Sequence, residues 1–200
     1  MYDATRTTTA LLNDLQDPAN AEVWSFFDAR YRPILIAFAR RLGASEEDAA
    51  DVAQETLTKF VEEYRNGAYD RSRGRLRTWL ISIARPRIAQ IYRRRDVRRE
   101  QQGVTAAVDL ADDAALTRIW DEQRRRAILK EAMRRLREQT RTSDATIEAF
   151  ELLVLHQRSP AQVAELLNIS THDVYLAKSR VAQRLRDIVA EIEHAWDAEE

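Results

Sequence analysis

The chain has 200 residues, 44% of them hydrophobic and 32% charged, with four glycines, four prolines and no cysteine. This composition fits a protein of one or two small helical domains with thin cores, and the missing cysteines exclude disulfides and thiolate metal sites. A net charge of −1 averages two regions of opposite sign. The segment 65–99 holds twelve arginines against Asp70 and Asp96, whereas 44–63 holds seven carboxylates against Lys59 alone. Two adjacent surfaces of opposite charge predict two partners, one of them a polyanion such as nucleic acid. The N-terminus lacks a signal-peptide pattern and no apolar run approaches the roughly 20 residues that span a bilayer, so a cytoplasmic protein without membrane insertion is expected.

In chain order, helical spacing begins weakly at Thr9 to Leu15 and becomes strong from Ala19 to Leu42, where Val23, Trp24, Phe27, Tyr31, Ile34, Leu35 and Phe38 return every three or four residues. Pro33 is expected to start a second helix there, because inside one it would remove a hydrogen bond. Gly43 stops this segment and Ser45 caps an acidic helix that turns Val52, Leu57, Phe60, Val61 and Tyr64 inward. Asn66-Gly67 and Gly74 bracket a charged loop, after which Thr78 is expected to cap a helix running to about Arg95. Residues 100–116 are small and mildly acidic and read as a flexible linker. They divide the chain into domains at 1–99 and 117–200. The second domain opens with a helix over Ala114 to Gln139, followed by helical segments at Ser143 to His156, Ser159 to Leu167 and Ser170 to about Ala195. The expected fold is all-α, two small helical domains with no internal repeat.

The segment Ser159 to Arg186 reads as two helices around a tight turn. Ser159 caps, Pro160 takes the first helical position, Asn168 adopts the left-handed conformation and Ile169 fills the corner. Ser170 or Thr171 caps the second helix, whose inner stripe is Val174, Ala177, Val181, Leu185 and Ile188. Its outer face offers His172, Tyr175, Lys178, Ser179, Arg180 and Arg184 to a DNA groove. The plain alternative is a helical hairpin with a solvated basic face. The three histidines have no metal-ligand spacing, and neither a catalytic set nor a phosphate-binding glycine loop is present, so no enzyme activity, metal or cofactor is expected.

Three motifs in order resemble the bacterial RNA polymerase sigma factors of the sigma-70 family, in particular the minimal extracytoplasmic-function (ECF) type. The first is DAADVAQETLTKFVEEY, similar to the family pattern D-x-x-D-x-x-Q-E-x-F. The resemblance assigns Asp48, Asp51, Gln54 and Glu55 to core polymerase binding. The second is GRLRTWLISIARPRIAQIYRRR, similar to F-x-x-W-L-x-x-I-A-R-N. It implies −10 DNA binding by Arg73, Arg75, Arg77, Trp79, Arg85 and Arg87. Trp79 reads equally as core, and Leu80 stands where housekeeping relatives have a second tryptophan. Pro86 departs from the usual asparagine: either the helix kinks there or base contact passes to Arg85 and Arg87. The third motif, ISTHDVYLAKSR, is similar to the −35 reader and implies DNA contact by His172, Tyr175, Leu176, Lys178, Ser179 and Arg180.

The resemblance implies core RNA polymerase and promoter DNA as partners, an anti-sigma factor or kinase as a regulator, and promoter-directed transcription initiation as the function. Two rivals stay open. An operator-binding regulator would act without polymerase, and a protein-binding adaptor would have little use for the arginine run.

Overall fold

The computed structural model describes residues 8–17, 20–69, 74–99, 110, 112–139 and 142–197, with side chains except at 94–99, 139 and 197. Eight α-helices account for nearly all of it, and no strand occurs among the described residues: α1 Thr8–Asp14, α2 Ala21–Arg41, α3 Glu46–Arg65, α4 Leu76–Arg99, α5 Asp113–Gln139, α6 Asp144–Phe150, α7 Pro160–Leu167 and α8 Thr171–Asp197. Two units result, one formed by residues 1–127 with 195–200 and the other by 128–194. Residues 117–127, expected in the C-terminal domain, thus lie in the first unit.

In the first unit α3 packs against both α2 and α4. The apolar stripes identified in the sequence meet here: Phe27, Ile34, Leu35 and Phe38 of α2, Val52, Leu57 and Phe60 of α3, and Leu80 and Ala84 of α4 are all fully buried. Pro33 does not begin a new helix, since α2 runs unbroken from Ala21 to Arg41 with Pro33 exposed on its surface. An interior proline costs about 3 kcal/mol. The buried stripe passes the proline on both sides, and each buried Leu, Ile or Phe contributes about 1.5–3 kcal/mol, so tertiary packing decides the outcome. Pro86 is likewise accommodated inside α4.

Gly43 ends α2 with φ +92°, and a Cβ there would come within 3.0 Å of the Tyr92 hydroxyl, so glycine is required twice over. Ser45 then caps α3, its hydroxyl accepting from the Asp48 amide at 3.1 Å. Thr78 is not the cap of α4: the helix has already begun at Leu76, and the Thr78 and Trp79 amides donate to the Arg75 carbonyl. Most of the expected linker, together with Asp70 to Arg73, falls outside the described residues. Its last part is not linker but the start of α5, because the Asp112 carboxylate accepts from the Ala114 and Ala115 amides at 2.9 and 3.0 Å. Trp120 is buried in the first unit, edge-on to Phe38 with centroids 5.7 Å apart. The start of α1 and the last turn of α8 also meet in this unit. The Thr8 hydroxyl donates to the Trp196 carbonyl at 3.2 Å, and the buried Arg30 guanidinium lies 5.1 Å from the Trp196 ring.

In the second unit α6 continues into a π-helical turn, Glu151–Leu155, and α7 follows. Ser159 and Gln162 form a capping box with Pro160 in the first turn, and Asn168 takes φ 51°, ψ 48°. Val163, Val174, Ala177 and Ala149 form a small core against which Ile169 packs in the corner. These features are the ones that the sequence specifies locally.

Candidate functional site

The four residues assigned to polymerase docking fall on α3. Asp51, Gln54 and Glu55 are exposed and Asp48 is half-buried. Helical rotation of about 100° per residue puts Asp48, Asp51 and Glu55 within one narrow sector. Two of the four are fixed by neighbouring helices. The Gln54 side-chain oxygen accepts from Arg32 of α2 at 2.6 Å, and Arg32 is itself clamped by Asp28, whose hydrogen bonds and charge raise the guanidinium pKa. Glu55 accepts from Arg87 of α4. The Asp48 carboxylate is held by the Ser45 hydroxyl at 2.6 Å.

The side chains assigned to −10 DNA do not form one surface. Arg85 and Arg87 lie two residues apart and so project about 200° apart around α4. Arg87 turns to α3, where it meets Glu55, and it also donates to Gln90 of its own helix at 2.9 Å. Arg85 turns the other way and binds Asp113 of α5 at 2.8 Å. Arg77 binds Asp121 of α5 at 3.0 Å. Arg75 is exposed, and Arg73 lies outside the described residues.

Trp79 sits in an aromatic cluster. Its ring is 4.8 Å from Tyr69 and perpendicular to Phe60 at 6.3 Å, and its indole N–H donates to Glu63 at 2.8 Å. Of its two readings, the packing one has these contacts. The ring is only half-buried, however, so an edge stays open to solvent. Leu80, next to it, is fully buried. A cleft of about 500 Å³ between α3 and α4 is lined by Glu55, Lys59, Glu63, Pro86, Arg87 and Arg93. Opposite charges thus share one groove, which the separation of acidic and basic segments along the chain did not reveal.

On α8, His172, Tyr175, Lys178, Ser179 and Arg180 are exposed while Val174, Ala177, Val181, Leu185 and Ile188 are buried. Leu176 is half-buried, at the flank of the outer face. The helix start is built by Ser170 and Asp173: the Ser170 hydroxyl donates to Asp173 at 2.6 Å and accepts from its amide at 3.0 Å. Those hydrogen bonds hold the Asp173 carboxyl below its ordinary value, with a smaller contribution from His172 and Arg180.

Sequence reasoning missed Glu63, Asp113 and Asp121 as partners of the residues it assigned to DNA. Their only signal was an acidic residue near an arginine-rich helix, and pairing across 16 to 44 residues has no local signature. Among the described residues, no cluster of His, Cys, Asp or Glu is arranged to hold a metal, and no helix is long and apolar enough to cross a membrane. No curated protein matches the chain. Residues 27–98, which run from α2 almost to the end of α4, match the family model for Sigma-70 region 2.

Proposed function

We propose that the chain is an ECF-type sigma factor that binds core RNA polymerase and directs it to specific promoters, without enzyme activity of its own. The observation that carries this reading is the Sigma-70 region 2 match over 27–98, which coincides with an acidic helix packed beside an arginine-rich one. Asp48, Asp51, Gln54 and Glu55 dock on the polymerase. Arg73, Arg75, Arg77, Trp79, Arg85 and Arg87 engage the −10 region. Opening a base costs a few kcal/mol, which stacking and phosphate contacts offset. The pair α7 and α8 acts as a helix-turn-helix reader of the −35 duplex through His172, Tyr175, Leu176, Lys178, Ser179 and Arg180. The exposed polar face at the start of α8 supports this, since a recognition helix places its N-terminal half in the major groove. An anti-sigma factor or kinase remains the proposed source of control.

In vitro transcription with core polymerase and a promoter library tests the proposal. Start sites that depend on the chain and share −35 and −10 sequences are expected. A tight, sequence-specific duplex complex without polymerase, and no gain of transcription with it, would favour the operator-binding regulator instead.

A further inference from the structure

Trp79 lies in the first turn of α4, where its backbone is held on both sides: its amide donates to the Arg75 carbonyl at 3.3 Å, and its carbonyl accepts from the Ser82 hydroxyl at 2.7 Å. The ring is a separate matter, because it is only half-buried and turns about its own side-chain bonds. Tyr69 lies against it with centroids 4.8 Å apart and planes at 55°, and Phe60 meets it at 90° and 6.3 Å. Such contacts fix the plane of an indole. They do not fix which edge carries the N–H, since the last torsion of a tryptophan is roughly two-fold and a half-turn returns the ring to nearly the same slab. Glu63 of α3 removes that degeneracy, because its carboxylate accepts from Nε1 at 2.8 Å. Glu63 is itself steadied: its side chain is 33% exposed, and the Lys59 ammonium, one helical turn earlier, lies 3.7 Å away. Lys59 also offsets a carboxylate charge that would repel phosphate from the cleft both residues line. A carboxylate makes the bond to the indole charge-assisted and so roughly twice as strong as a neutral one.

We propose that Glu63 is the positioning residue of Trp79: by taking the indole N–H it selects one of two ring orientations and keeps the same edge toward solvent for strand separation. The proposal rests on the reading of Trp79 as a strand-opening group and adds what prepares that group. Without the bond the ring samples both orientations, and ordering it becomes part of the melting step. The loss therefore falls where strands must be separated and not where they already are.

The test pairs a spectroscopic readout with a functional one in the intact chain. Four tryptophans give four indole N–H signals in a nitrogen-labelled sample, and the signal lost in Trp79→Phe is that of Trp79. Glu63→Leu removes the acceptor at similar size and should move that signal upfield. The same variant should lower open-complex formation about five- to tenfold on a duplex promoter recovered from the library. Its activity on the pre-melted form of that promoter and its affinity for core polymerase should stay close to wild type. Glu63→Gln keeps an oxygen facing the indole and should restore both the signal and the opening. In a Trp79→Phe background Glu63→Leu should add nothing further, because the two residues act as a unit. Wild-type opening by Glu63→Leu, with the signal moved, overturns the proposal. So does a Glu63→Gln variant as impaired as Glu63→Leu, which would make charge rather than the bond the cause, and so does a loss accounted for by weaker polymerase binding. If Glu63→Leu does not fold, Glu63→Ala takes its place with the same expectations, since alanine suits a helix best. Trp79→Phe judges the underlying reading separately: unimpaired opening of duplex promoters by that variant overturns both, whereas impairment there with none in Glu63→Leu overturns only the role of Glu63.

Discussion

Glu55 on α3 accepts a hydrogen bond from Arg87 on α4, so a residue assigned to the polymerase and one assigned to DNA satisfy each other in the free protein. Both side chains are partly exposed, 50% for Glu55 and 39% for Arg87, and an ion pair of that kind contributes about 0–1 kcal/mol. It is therefore a contact that either partner could replace at little cost. Both residues line the α3–α4 cleft.

Polymerase docking can be examined at Asp51, which is exposed and lies in the same sector of α3 as Glu55. Asp51→Arg is expected to weaken core polymerase binding about tenfold, which is about 1.4 kcal/mol, with helicity unchanged. Combining it with Glu55→Arg should weaken binding further and also push Arg87 away. Unchanged affinity of the double variant in a fluorescence titration with core polymerase would remove this face from the docking surface.

Trp79 serves two masters, a packed cluster and an open edge, and substitutions separate them. Trp79→Ala should cost about 2–3 kcal/mol of stability, below the 3–5 usual for a fully buried tryptophan. Trp79→Phe keeps a ring beside Tyr69 and loses the bond to Glu63, about 1 kcal/mol, together with part of the ring packing. If the open edge takes part in strand opening, Trp79→Phe retains most open-complex formation on pre-melted templates and loses it on duplex ones. Equal activity on both, with only a lowered melting temperature, would assign the residue to packing alone.

At the start of α8, Arg180→Ala should reduce transcription chiefly through the −35 element. A bidentate base contact is worth about 1–3 kcal/mol of discrimination, whereas a phosphate contact would lower binding evenly across −35 sequences. Activity profiles over a −35 library distinguish these outcomes. A variant equal to wild type on every sequence takes Arg180 out of the reader.

The Asp173 carboxylate, held below its ordinary value of 3.8 by Ser170, makes the helix start acid-sensitive. A carboxyl depressed in the folded state adds stability above its unfolded pKa and loses it as pH falls through the folded one. Wild type and Asp173→Asn should therefore differ above about pH 4 and converge below it. Thermal unfolding across that range provides the measurement, and a constant difference down to the most acid pH would deny Asp173 this role.

Much of the molecule was legible before any coordinates, for reasons that are local. Serine at 45, 159 and 170, proline at 160, glycine at 43 and asparagine at 168 each satisfy a backbone requirement within a few residues, so the helix ends they mark lie where they were expected. Periodicity likewise identified the buried faces of α2, α3 and α8, because a helix must bury its apolar stripe whatever it packs against. Pro33 and Thr78 were misread because local preference was outweighed by packing on either side of the first and by an earlier helix start before the second.

Only the tertiary structure decided how the charges pair. The sequence by itself determined an acidic helix, an arginine-rich helix and a polar-faced hairpin. That Glu55 meets Arg87, that Glu63 holds Trp79, and that Asp113 and Asp121 reach Arg85 and Arg77 follows from how α3, α4 and α5 pack. Charge composition is additive along a chain and can be counted, but an ion pair depends on which residues of two distant helices come within about 3–4 Å. That distance is set by the shared core around Phe38, Phe60 and Trp120, because those rings fix the approach and rotation of the helices that carry the charges.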